Sequence, residues 1–182
     1  MLIMLRHGRT TANAKGLLQG RVDNPLDETG HEQAAAAAAA IGHVDRVIAS
    51  PLSRAQMTAA AFGLPVEVDD RFIELDYGEW EERPVRDVPA ATWQRWRTDL
   101  DLRPPKGETL RELGVRVRTG LDALATEAAD SNIVVVSHVS PMKAAIAWAL
   151  GVDDLVTWRT RLGQGVWFRI DTSGPAPSLS FD

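Results

Sequence analysis

The stretch Asn132-Ile133-Val134-Val135-Val136-Ser137-His138-Val139-Ser140-Pro141 decides how this chain folds. Four branched aliphatic residues in a row, with no polar alternation, suit a strand buried on both faces, as in a parallel sheet covered by helices. Ser137 and His138 then leave the strand, and a helix is expected over 141–150, closed by Gly151. The same pattern recurs twice upstream. Residues 1–5 run into Arg6-His7-Gly8-Arg9-Thr10, and residues 44–49, interrupted by Asp45 and Arg46, run into Ser50-Pro51-Leu52-Ser53-Arg54.

Helical patterns separate these runs. One starts at Asp27-Glu28, continues through the seven alanines 34–40 and stops at Gly42, so good helix formers follow acids that suit the dipole. A second covers 52–62 behind Pro51, and a third covers 108–129, where Leu110, Leu113, Val117, Leu121 and Leu124 recur at three and four. Alternating buried strands and helices predict an α/β fold, a three-layer α/β/α sandwich with a mostly parallel central sheet. Residues 165–171 read as a last, edge strand. Residues 79–106 break the rhythm with Pro84, Pro89, Pro104 and Pro105 and carry Trp80, Trp93 and Trp96, so they are expected to leave the sheet as a short lid. From Thr172 the chain is rich in Ser, Pro and Gly and is expected to be loose. All 182 residues are read as a single domain.

Composition narrows the function. There is no cysteine, which removes thiol nucleophiles, thiolate metal sites and disulfides. A net charge of -5 gives no field to draw the chain to nucleic acid or to an anionic membrane. The apolar run at the start is five residues long, far below the roughly 20 needed to span a bilayer, so a cytoplasmic protein is expected.

The chemistry-bearing residues gather at strand ends. His7 and His138 follow two of the buried strands, and Arg54 opens the helix after the third. In open parallel sheets ligands bind at this edge, where loops and helix N-termini converge. Two imidazoles with Arg6 and Arg54 fit a phosphate, because guanidinium forks match its oxygens bidentately.

With these residues the chain resembles the histidine phosphatase superfamily. The likeness rests on Arg6-His7-Gly8, Thr10, Asn13, Gln19-Gly20, Ser50-Pro51-Leu52-Ser53-Arg54-Ala55, Glu74-Leu75-Asp76-Tyr77-Gly78-Glu79-Trp80, Gly107-Glu108-Thr109 and Ser137-His138, in order over most of the chain. The resemblance implies that His7 is the nucleophile, forming a phosphohistidine, and that Arg6, Arg54 and His138 hold the phosphoryl oxygens. It implies that Glu74 is the general acid and later the base, although Asp76, Glu79, Glu81 and Glu82 stand close in sequence. Asn13, Gln19 and Gly20 align with substrate-contacting positions, and no metal or other cofactor is implied. Most members have glycine after the second histidine, where this chain has Val139. A valine N–H can still face the phosphate if its backbone is not left-handed. The run Ser137 to Lys143 resembles a phosphatase subgroup found in ribonuclease-H fusions and among α-ribazole-phosphatase-like enzymes.

The expected activity is metal-independent hydrolysis of a small phosphorylated metabolite, with no nucleic-acid or membrane partner and with a homodimer left open. Two alternatives stand beside it: phosphoglycerate-mutase-type transfer, disfavoured by the short region after the acid motif, and a non-catalytic phosphate-binding relative, disfavoured because His7, Arg6, Arg54 and His138 are all retained. His31 and His43 read as surface residues, Glu108-Thr109 as helix-start punctuation, and Trp93 and Trp96 as a core stripe rather than a stacking platform.

Overall fold

The computed structural model describes residues 1–181. Six strands, β1 (Leu2–Arg6), β2 (Arg46–Ala49), β3 (Val66–Val68), β4 (Ile133–Ser137), β5 (Trp167–Asp171) and β6 (Ser178–Ser180), form one sheet in the order β3-β2-β4-β1-β5-β6. The three pairings among β3, β2, β4 and β1 are parallel, while β5 runs antiparallel to β1 and β6 antiparallel to β5. The helices are α1 (Thr11–Ala14), α2 (Glu28–Ile41), α3 (Ser53–Ala59), α4 (Ala90–Trp96), α5 (Leu110–Ala128) and α6 (Val139–Leu150).

Period-two side-chain direction divides the central strands between two cores. Leu2, Met4, Ile133 and Val135 face α5 and α6, while Ile3, Leu5, Val134 and Val136 face α2 and α3. The three-layer sandwich follows. In α2 the buried positions Gly30, Ala34, Ala37 and Ile41 make one face at helical spacing, and Asp27 caps the start by accepting from the Gly30 N–H at 2.9 Å. In α5, Thr109 and Glu112 form a reciprocal capping box, so Glu108-Thr109 does punctuate a helix start.

Several boundaries depart from the sequence reading. The helix expected over 52–62 is α-helical only to Ala59 and tightens into a 3₁₀ turn over Ala60–Phe62. The last helix begins at Val139, two residues before Pro141, which sits in the first turn where its missing N–H costs no bond. The strand expected at the edge is not an edge: Ser178–Ser180 pairs with it, so the tail from Thr172 is not loose throughout. The true edge on the other side, β3, has three residues, two of them exposed, and gave no signal. Residues 79–106 lie off the sheet, with Val88 and Trp96 buried, so the excursion is packed.

Two glycines set how closely α2 approaches the turn after β1. A Cβ on Gly8 would run into the Gly30 carbonyl, and a Cβ on Gly30 into the Arg9 carbonyl, both far inside contact distance. Gly30→Ala therefore pits two effects against each other. Helix propensity favours alanine by about 1 kcal/mol, whereas overpacking against a fixed backbone costs about 1–3 kcal/mol or more. Packing wins because the obstacle is a main-chain oxygen, so urea unfolding should show a loss of about 1–2 kcal/mol. An unfolding midpoint at or above wild type would contradict the close approach.

Candidate active site

Three adjacent strands deliver the site. The register sets Arg6 of β1 beside Ser137 of β4, and Val136 of β4 beside Ala49 of β2. The residues that follow, His7, His138 and Ser50, therefore emerge side by side at the C-terminal edge of the sheet. The His7 N–H donates to the Ser137 carbonyl at 3.0 Å, and the Ser50 N–H to that of Val136 at 3.0 Å. The two imidazole rings lie 5.0 Å apart, tilted by 57°.

His7 is buried, and its Nδ1 lies 2.6 Å from the Gly8 carbonyl. A carbonyl oxygen only accepts, so Nδ1 carries the proton and Nε2 the lone pair. Burial holds the His7 pKa well below 6.5, and the charges of Arg54 and then Arg6 push it the same way, so the ring is neutral at neutral pH. His138 is held low for the same first reason, with Arg54 again the leading charge.

Arg54 is fully buried. It donates to the Gly20 carbonyl at 2.6 Å, to the Val22 carbonyl at 2.9 Å and to His138 Nδ1 at 3.3 Å. Because Nδ1 accepts, the His138 proton sits on Nε2 and is donated to Ser50 Oγ at 2.7 Å. Burial lowers Arg54 to about 10, which still leaves it charged at neutral pH.

A cavity of about 270 Å³ opens beside His7, at the lower end of the usual range for small-molecule sites. Its polar wall holds Arg6, His7, Asn13, Gln19, Glu74, Ser140 and Lys143, with Val139 at the first turn of α6. Glu74 is 2% exposed, and burial raises its pKa, more than the Leu75 N–H at 2.7 Å and the contact with Ser140 lower it. The neighbouring acids are engaged elsewhere. Glu81 accepts from the N–H groups of Gly20, Arg21, Val22 and Tyr77, Asp76 accepts from the Gly78 N–H, and Glu79 pairs with Lys106 at the surface. Arg6 reaches the Leu162 carbonyl at 2.5 Å, while its buried Nε has no partner, and neither does Gln19 Nε2.

Of the residues singled out in the sequence, Arg6, His7, Asn13, Gln19, Glu74 and Val139 line the cavity. Arg54, His138 and Gly20 do not. Arg54 and His138 are fully buried, with the His138 ring beside that of His7. The Gly20 carbonyl is taken by Arg54 and its N–H by Glu81, so this glycine positions the arginine and does not line the cavity. Val139 needs no glycine, since positive φ among the described non-glycine residues occurs at Glu82 and Lys106. His31 and His43 are exposed. Trp93 and Trp96 stack with centroids 5.5 Å apart, Trp96 inside the core, yet both also line the cavity. Lys143, Tyr77 and Trp158 are cavity residues that the sequence reading left out. Lys143 was within reach of it, because it follows Val139 by four residues on one helix face.

Among the described residues no helix is long and apolar enough to cross a membrane, and no group of three or more His, Asp or Glu could hold a metal ion.

This class of site, a buried imidazole pair with guanidinium groups and one raised carboxyl at the end of a parallel sheet, agrees with the comparisons. The chain belongs to the histidine phosphatase superfamily (branch 1), whose model matches residues 2–180. It is 36% identical over 173 residues to a bifunctional protein of Mycobacterium tuberculosis, which covers 88% of this chain and 47% of that protein. The chain thus spans about half the length of that relative. It is 34% identical to an adenosylcobalamin/alpha-ribazole phosphatase of Escherichia coli, covering 93% of this chain and 89% of the relative. The solved structure of a phosphoserine phosphatase mutant from Entamoeba histolytica in complex with phosphoserine superposes with a TM-score of 0.90 at 26% identity, over 99% of this chain and 95% of that one.

The buried imidazoles make stability depend on pH. His7 and His138 are both lowered when folded, so below about 6.5 the unfolded chain binds protons that the folded chain refuses, and stability falls with pH. Glu74 is raised and contributes with the opposite sign, its stabilisation being lost as pH rises through its folded pKa. Each proton is worth about 1.4 kcal/mol per pH unit. Urea unfolding between pH 7 and 5.5 should show stability falling, with His138→Gln reducing the slope by about one proton. An unchanged slope in that variant would contradict a neutral buried His138.

Proposed function

We propose that the chain hydrolyses small phosphomonoesters through a phosphohistidine on His7. The observation that carries this reading is the pairing of a neutral imidazole, its Nε2 lone pair kept free by the Nδ1–Gly8 bond, with a buried carboxyl of raised pKa in one cavity. In the first step Nε2 attacks phosphorus, the P–O bond to the alcohol breaks, and protonated Glu74 gives its proton to the departing oxygen. In the second step the Glu74 carboxylate takes a proton from water, whose oxygen attacks phosphorus and releases the imidazole and inorganic phosphate. Arg6 Nε, the amide of Gln19 and the N–H groups at the start of α6 supply donors to the phosphoryl oxygens. Arg54 and His138 act beside the nucleophile. Arg54 contributes positive field where charge gathers, and His138, held by Arg54 and Ser50, packs against the nucleophile. The names of the E. coli and Entamoeba relatives, both phosphatases, support hydrolysis.

Rapid acid-free quenching with a ³²P-labelled phosphomonoester should trap a stoichiometric, acid-labile phosphoenzyme in wild type and none in His7→Ala. Label that persists in the variant would overturn the assignment.

The acid role of Glu74 is read from leaving groups. An alkyl oxygen needs a proton to depart and p-nitrophenolate does not, so Glu74→Gln should lower kcat/KM on an alkyl phosphate by about 10²–10⁴-fold and on p-nitrophenyl phosphate far less. Equal losses on the two substrates would remove Glu74 from that role.

A further inference from the structure

Four of the five buried side-chain polar atoms without a partner among the described residues belong to residues lining one cavity: Arg6 Nε, Gln19 Nε2, Trp96 Nε1 and Trp158 Nε1. All four are donors, and a buried donor left unmatched is costly enough to be rare in folded proteins. Arg6 and Gln19 stand with the nucleophile, where the phosphoryl group accounts for them. The indole N–H groups belong to the aromatic wall, where Trp158 lies 5.9 Å from Trp96 and 6.1 Å from Trp93, centroid to centroid.

Lys143 is the remaining cation of the cavity. It lies one helical turn beyond Val139 in α6, is partly buried, and has neither an ion pair nor a hydrogen bond among the described residues. Its ammonium feels the Glu74 carboxylate, but no carboxylate among the described residues lies within ion-pair distance.

We propose that Lys143 is the specificity residue of the cavity, binding a second anionic group, a carboxylate or a second phosphate, carried by the alcohol part of the phosphomonoester. The proposal rests on the phosphatase reading above and deepens it. The alcohol chain crosses the aromatic wall, and the Trp158 N–H adds a neutral donor to the same group.

The test uses ligands that differ in this feature alone. 3-Phosphoglycerate and glycerol 1-phosphate exchange a carboxylate for a hydroxymethyl group, and glycerol 1,3-bisphosphate supplies a second phosphate instead. Wild type should prefer at least one of the two anionic ligands over glycerol 1-phosphate by tenfold or more in kcat/KM, and the better one identifies the anion. Lys143→Met should erase the preference mainly through KM, with a loss at least tenfold greater on the anionic ligand, and Lys143→Arg should restore most of it. Trp158→Phe keeps the ring and removes the donor, so a several-fold loss on the anionic ligand is expected. If Lys143 only steadied Glu74, both substrates would lose equally and their pH profiles would shift together, which overturns the proposal. So does a wild type without preference. Titrating the same ligands by calorimetry reads the preference in binding, so that failure of turnover on every phosphomonoester, p-nitrophenyl phosphate included, sinks the phosphatase reading while the Lys143 contrast is still decided.

Discussion

A guanidinium shut away from water, with no carboxylate in contact, is the constraint around which the site is organised. Burying an unpaired charge is expensive, and Arg54 is tolerated because two backbone carbonyls and a ring nitrogen accept its protons. Those carbonyls belong to Gly20 and Val22, in a loop that Glu81 gathers by accepting from the N–H groups of Gly20, Arg21 and Val22. Asp23 ties the same loop to α3 through the N–H and hydroxyl of Ser53, at 2.7 and 2.6 Å. Acids that look catalytic in the sequence are therefore structural, and their work is to aim carbonyl oxygens at an arginine. In return Arg54 fixes the tautomer of His138 and is the leading charge that keeps His7 unprotonated.

The cavity has two characters. On the sheet side lie the groups that the proposed reaction uses: a neutral imidazole, a guanidinium and a carboxyl whose pKa burial raises. On the side of residues 79–106 lies a cluster in which Trp80, Trp93, Trp158 and Tyr77 surround the buried Trp96. A low-dielectric wall of indoles also strengthens every charge interaction inside the cavity.

Much of this was legible before any coordinates. The unbroken Ile133 to Val136 run announced a strand buried on both faces, and that strand is central and covered on each side. The motifs around His7, Arg54 and His138 followed strand ends, so their convergence could be read from order alone. What escaped lacks a periodic signal. β3 is three residues long, two of them exposed, and β6 is hidden in a Ser- and Pro-rich tail whose pairing is a long-range choice. Side-chain partners escaped as well: Gly20 turns its carbonyl to Arg54. Trp158 sits in a 3₁₀ segment with no pattern to place it at the cavity.

The central claim is that burial and two guanidiniums keep His7 neutral, with its proton on Nδ1 and its lone pair on Nε2. Nitrogen-15 NMR of protein labelled at histidine, with His7→Ala used to assign the resonances, measures this directly. The account predicts a protonated Nδ1 and an unprotonated Nε2 for His7 at pH 7, unchanged as the pH is lowered past 6.5. An imidazolium at pH 7, or the proton on Nε2, would contradict it.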